Sequence, residues 1–184
     1  MAALLIILGV IVVLGLGIVG MYNTLVSKRM RCREAWSQID VQLKRRHDLI
    51  PNLVETVKGY AAHERETLEA VIAARNTAAG AQGVEQQAQA ENMLTGALRQ
   101  MFALSESYPT LKANENFAQL QEELTATENK IAFSRQHYND SVSQLNVAVQ
   151  KFPNSMIAGM FGFKCEPFFE LESPAERAVP QVSF

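Results

Sequence analysis

The chain has 184 residues, is 48% hydrophobic and 20% charged, and carries a formal net charge of −2. Such a length holds one ordinary domain beside a short appendage and leaves no room for a second, enzyme-sized one. The balance gives no basic face over the chain as a whole, so no nucleic-acid partner is expected, and Cys32 and Cys165 make neither a C-x-x-C pair nor a metal spacing.

From Met1 to Ser27 no side chain is charged, and then Lys28, Arg29, Arg31 and Arg33 follow at once. A helix rises about 1.5 Å per residue and a hydrocarbon core is about 30 Å thick, so roughly 20 apolar residues are needed to cross it. Ala2 to Tyr22 supplies them, and 1–23 is read as a transmembrane anchor. A cleaved signal peptide needs a basic n-region and a small-residue cleavage site. Met1-Ala2-Ala3 has no basic side chain, and Gly20-Met21-Tyr22-Asn23 is a poor site. Lysine and arginine near a span favour the cytoplasmic side. Here they lie only on the C-terminal flank, so the N-terminus is expected outside and the remaining chain in the cytoplasm.

Gly15-Leu16-Gly17-Ile18-Val19-Gly20 matches the dinucleotide fingerprint in letters, but these glycines lie inside the span rather than between a strand and a helix. Gly9, Gly17 and Gly20 fall on one side of a helix, where small residues permit close helix approach in lipid. The basic cluster beyond the span is local. Thr24 to Tyr60 holds eight Lys/Arg against four Asp/Glu, and Ala61 to Phe184 nine against fifteen. Lys28, Arg29, Arg31 and Arg33 are therefore candidate contacts for anionic lipid headgroups, each worth about 1 kcal/mol near the surface, or simply the topology signal.

Past the anchor the apolar residues recur every three or four positions, the stripe of a helix. Leu25, Cys32, Trp36, Ile39 and Leu43 form the first set, and Leu53, Val57, Ala61, Leu68 and Val71 the second. Between them, Leu49-Ile50-Pro51 either starts a new helix capped by Asp48 or kinks a single long one. The new helix is favoured. Ala79-Gly80-Ala81-Gln82-Gly83 reads as a loop, after which Leu94, Leu98, Met101 and Tyr108 continue the pattern.

The clearest stripe runs Phe117, Leu120, Leu124, Thr127, Ile131, Ser134, Tyr138, Val142, Leu145, Val149 and Phe152. It predicts a helix of about 40 residues bounded by Pro109 and Pro153. No stretch alternates with period two for long enough to make a strand. The expected fold is all-α: a transmembrane helix followed by an antiparallel up-and-down bundle over 24–152, four helices favoured and a kinked three-helix form the alternative. An apolar and aromatic tail occupies 153–184, with Met160, Phe161, Phe163, Phe168 and Phe169 as its candidate contacts. Those side chains either close the bundle or enter the membrane interface, and in a four-helix arrangement the tail returns to the membrane end.

Catalytic motifs are missing. His47, His63 and His137 are each preceded at three residues by Lys44, Tyr60 and Ser134, so none makes the Glu-x-x-His pair of a di-iron bundle. No phosphate-binding glycine loop follows a strand, and no nucleophile has an evident base. No enzyme activity, cofactor or metal is expected. Cys32, close to the anchor, is either an acylation site or, more simply, a small buried residue.

One segment is more particular than helix formation demands. Ala35-Trp36-Ser37-Gln38-Ile39-Asp40-Val41-Gln42-Leu43-Lys44-Arg45-Arg46 runs into Asp48-Leu49-Ile50-Pro51-Asn52-Leu53-Val54. With Tyr108-Pro109-Thr110-Leu111-Lys112-Ala113-Asn114-Glu115-Asn116-Phe117, Leu120 to Leu124, Thr127 to Ala132, Tyr138-Asn139 and Phe152-Pro153, it resembles the signature of the LemA family. The resemblance implies a bacterial inner-membrane protein with one N-terminal span and a cytoplasmic helical bundle, and no established enzyme activity. Some relatives in that family are associated with building membrane compartments, as in magnetosome formation.

Among the matching residues, Arg45, Arg46, Asp48, Asn52, Glu122, Glu123, Glu128, Asn129 and Arg135 are unusually specific polar choices on helices that need only an apolar stripe. They are read as a polar layer fixing helix register, with a partner-binding face as the second reading. The functional expectation is a membrane scaffold that contacts lipid and forms homo-oligomers. The alternative is an adaptor that holds a second, unidentified membrane protein.

Overall fold

The computed structural model describes residues 1–61 and 63–170. Among them the chain is all-α, with no strand. The elements are α1 (Ala2–Lys58), α2 (Arg65–Gly80), α3 (Val84–Ser105), α4 (Pro109–Lys112), α5 (Glu115–Gln150) and α6 (Asn154–Phe161). The expected fold class is met, and the stretch of the tail beyond residue 170 lies outside the described residues.

The favoured break at Pro51 is corrected: α1 runs through Pro51 without interruption and ends at Lys58. An interior proline lacks the N–H that would bond the carbonyl four residues back, at a cost of about 3 kcal/mol or more. That carbonyl belongs to His47, and Arg75 of α2 supplies the missing donor, its Nε lying 3.2 Å from the His47 oxygen. The helix stops instead at Gly59, where a residue with a poor helix propensity follows a basic last turn. Replacing Arg75 with Met is expected to lower stability by about 1–2 kcal/mol, the loss of a charged donor to a partly buried carbonyl. Adding Pro51→Ala restores the helical bond and recovers most of it. Chemical unfolding of the two variants checks this, and an Arg75→Met loss that Pro51→Ala leaves untouched counts against the compensation.

Two compact units divide the chain, one of Met1–Asp40 with Ala132–Phe168 and the other built on Val41–Ile131. In the second, the core draws Ile50, Leu53, Val54 and Val57 from α1, Leu68 and Val71 from α2, Leu94, Leu98 and Met101 from α3, Leu111 from α4, and Phe117 and Leu124 from α5. On α1, α2, α3 and α5 these residues follow the three-and-four stripe, so burying the stripes together is what makes the bundle. Gly83 enters α3 at φ +82, a left-handed position that suits glycine. Asn114 separates α4 from α5, its Oδ1 accepting the Phe117 N–H at 2.9 Å as an N-cap. Tyr108 donates to Glu64 Oε1 at 3.0 Å, and Asn114 Nδ2 to the Tyr60 hydroxyl at 2.9 Å, so the loops are stitched by side chains.

The first unit holds the N-terminal part of α1, the C-terminal part of α5, and α6. Leu25, Ala148, Ile157, Ala158 and Phe163 form its core, with Met21, Val26 and Val149 against them. Gly162 ends α6 at φ +70, and the Phe163 N–H closes the cap on the Ala158 carbonyl at 2.9 Å. The extended residues that follow have no strand to pair with. Asn146 of α5 substitutes: its amide donates to the Glu166 carbonyl and accepts the Glu166 N–H, both at 2.9 Å. Tyr138 donates to the Pro167 carbonyl at 3.0 Å. Burial, with Glu166 nearby, pushes the Tyr138 phenol up to about 12.

Candidate functional site

Two features stand apart from ordinary packing: the apolar end of α1 with the collar around it, and an ionic cluster inside the second unit. The apolar end is one helix with a mean hydropathy of 3.1 over its best 18 residues, none of them buried. By length and composition it can cross a membrane. A Cβ at Gly9, Gly17 or Gly20 meets nothing within 4 Å, so this chain's own atoms leave that side open.

At the end of the apolar run Tyr22 meets two rings of the tail, Phe161 at 4.8 Å and Phe163 at 5.8 Å between centroids. One turn or two further on, the Arg29 guanidinium lies 4.6 Å over the Phe163 ring. Lys28 donates to Gln144 of α5 at 3.4 Å, while Arg31 and Arg33 are exposed. The expected tail contacts therefore divide. Phe163 and Phe169 are buried in the protein, whereas Met160, Phe161 and Phe168 are exposed. Cys32 is buried near this collar, and burial, reinforced by Glu166, pushes its thiol up, which disfavours the thiolate an acylation would use.

The ionic cluster is centred on Glu91 of α3, which is fully buried. Its Oε2 accepts from Arg46 Nη1 at 3.2 Å, and its Oε1 lies 2.7 Å from His47 Nε2 and accepts from Gln87 Nε2 at 2.8 Å. Arg46, also fully buried, donates from Nη2 to Thr95 at 2.8 Å. Its Nε lies 2.9 Å from Glu128 Oε1, a charge contact without the alignment of a hydrogen bond. Arg46 thus clasps α1 to α3 and α5 at once. A cleft of about 310 Å³ adjoins it, lined by Arg46, Thr95, Leu98, Arg99, Phe102, Leu124, Thr125 and Glu128.

Burial pushes the Glu128 carboxyl up from its ordinary value of 4.5; Arg46 opposes that rise and Glu91 adds to it. A carboxyl with a raised folded-state pKa binds more protons folded than unfolded, so its contribution is fully present at low pH and is lost as pH rises through the folded pKa. Glu128→Gln removes that dependence. Unfolding free energies measured from pH 4 to 8 are expected to converge at the acid end and to favour the Gln variant increasingly as pH rises. A difference independent of pH means that Glu128 does not titrate in this way.

The other expected polar residues are scattered. Arg45 approaches Glu123 at 4.0 Å on the surface, and Arg135 is half-buried. Asp48, Asn52, Glu122 and Asn129 are exposed, the last two beside a shallow groove on α5 with Ala118 and Thr125. Glu91, Gln87 and Thr95 carry no motif, and His47 lacks the spacing of a metal ligand, so none of the four points to this cluster by its local sequence. The signal was register: Glu91 falls on the stripe of Ala88, Leu94, Leu98 and Met101, and Arg46 on that of Leu43, Ile50, Leu53 and Val57.

The LemA family model matches residues 35–184. Magnetosome protein MamQ 2 of Paramagnetospirillum magneticum is 26% identical over 180 residues, and the match covers 84% of this chain and 66% of the relative. Magnetosome protein MamQ of Magnetospirillum gryphiswaldense is 26% identical over 181 residues with the same coverage. Protein LemA of Metamycoplasma hominis is 27% identical over 145 residues, 76% of this chain and 64% of the relative. The chain thus spans just under two thirds of the length of these curated relatives. The motifs around Trp36, Arg46, Tyr108 and Glu128 lie inside the matched region, and the chain belongs to the LemA family.

Proposed function

We propose that this chain is a non-enzymatic, single-span protein of a bacterial inner membrane, with its helical body in the cytoplasm, that self-associates and organises or shapes that membrane. The observation that carries the reading is the start of α1: its most apolar 18 residues have a mean hydropathy of 3.1 and none is buried, on a helix that continues without a break into the family-like motif around Trp36. The open glycine side of the span supports self-association, and relatives that bear the name of magnetosome proteins agree with an organising role. Light scattering and cryo-EM of the protein in native-membrane particles test it. Assemblies of several copies are expected, and strictly monomeric particles at native density overturn the scaffold.

A second reading has its own observation. Asp48, Asn52, Glu122 and Asn129 belong to the family-like motifs yet lie on the surface, where they serve no core. That favours an adaptor whose polar face holds a membrane-protein partner. Crosslinking in intact cells separates the two: a scaffold gives mainly self-crosslinks, and an adaptor gives one distinct second protein.

A further inference from the structure

We propose that α6 is an interfacial helix, seated in the headgroup and acyl boundary of the same leaflet that α1 leaves; this deepens the single-span reading and rests on it. The argument begins with exposure. Within α6, Met156 and Met160 lie four residues apart and are 65% and 74% exposed, with Phe152, 74% exposed, in the turn just before the helix, while Ile157 and Ala158 are buried in the core of the first unit. Residues four apart share a helix face, so the outward face carries large apolar side chains and the inward face is already occupied. Elsewhere exposed apolar residues such as Ile72 and Met93 stand singly, as they do on ordinary soluble surfaces.

Position supplies the occupant. Roughly 20 residues at about 1.5 Å each bring the hydrocarbon core to its edge near Tyr22, a residue type concentrated at membrane interfaces. Phe161, the last residue of α6, is half exposed and packs at a tilt against Tyr22 with ring centroids 4.8 Å apart, which puts this end of α6 at the level where the span leaves the lipid. Lys151 and Lys164 flank the helix and are exposed, and Arg29 packs over Phe163 beside it. Apolar side chains at the acyl boundary with cations among anionic headgroups is the composition of an interfacial helix. The exposed face is thus continuous with a lipid-facing surface, and the bilayer covers it.

The test uses the full chain with Cys32→Ala and Cys165→Ser, reconstituted in vesicles of phosphatidylcholine and phosphatidylglycerol. Nitroxide labels are placed one at a time at Met156→Cys and Met160→Cys. A label at Val13→Cys reports the span and one at Phe133→Cys the exposed surface of α5. Circular dichroism confirms that each variant is folded, and the two α6 sites give independent readings. Collision with oxygen relative to a water-soluble nickel chelate is expected to be several-fold higher at both α6 sites than at Phe133, with Val13 higher still. Labels on α6 that match Phe133 while Val13 is lipid-exposed overturn the α6 proposal alone. A Val13 label open to the chelate overturns the span and α6 together. Labels on α6 shielded from both probes, with spin broadening relieved by unlabelled protein, show a second copy covering the face and overturn it as well.

Discussion

Glu91→Ala is expected to lower the stability of the full chain by about 3–5 kcal/mol, because it leaves the guanidinium of Arg46 buried without its main partner. Both side chains are essentially inaccessible to water, so no solvent can replace the lost carboxylate. Glu128 reaches Arg46 from the other side but is partly exposed and imperfectly aligned, and it offsets only part of the loss. Gln87 and His47 lose an acceptor at the same time. With whole-domain stabilities of about 5–15 kcal/mol, this one substitution removes a large fraction of the total. The informative comparison is the double variant Glu91→Leu with Arg46→Met, which deletes both charges and keeps comparable apolar volume. Buried ion pairs replaced in this way are often neutral or better, so the double variant is expected to be more stable than Glu91→Ala alone. Guanidinium unfolding followed by circular dichroism in mild detergent reads both. A Glu91→Ala loss below about 1 kcal/mol means that Arg46 finds water or another acceptor on relaxing.

The contrast between Arg46 and Glu91 shows what a single sequence reveals about this fold. Arg46 stood out because it sits in a run of letters that a helix does not need. Glu91 sits among Glu85, Gln86, Gln87 and Asn92, where one more acidic residue reads as solvated surface. Only its place on the apolar register distinguishes it. The apolar helix at the N-terminus, the long α5, the loop before Val84 and the all-α class were legible because each is a local pattern of hydrophobicity or of glycine. Pro51 was not, since the group that lets α1 continue past it is Arg75 of a different helix, and local propensity carries no trace of a tertiary donor. The same holds for the tail. Its aromatic content was visible, but which rings turn inward depends on Tyr22, Arg29 and Asn146, residues far away in the chain.

A charge placed in the middle of α1's apolar run provides the sharpest separation between a membrane span and an exposed apolar helix. Thirteen Leu, Ile and Val residues lie between Ala2 and Tyr22. At about −0.3 to −0.6 kcal/mol each on insertion scales they favour the membrane by roughly 4–8 kcal/mol, an upper figure because residues near the ends count for less. One arginine at the centre costs about 2.5–3.5 kcal/mol. Val12→Arg alone therefore leaves insertion favourable but weakened, and is expected to shift only a minor share of the protein out of the membrane. Val12→Arg with Val13→Arg costs about twice as much, matching or exceeding the whole driving force, and is expected to release most of the chain. Alkaline carbonate extraction of cell membranes measures the released fraction. The bundle of the second unit does not depend on this stretch, since the α1 residues it buries, Leu43, Arg46, Ile50, Leu53, Val54 and Val57 among them, lie well beyond it, so the released protein should keep its helical signal. Release that is already complete with a single arginine points to a much weaker association than a span. A double variant that stays in the membrane at wild-type levels means that α1 is held there by something other than its own hydrophobicity.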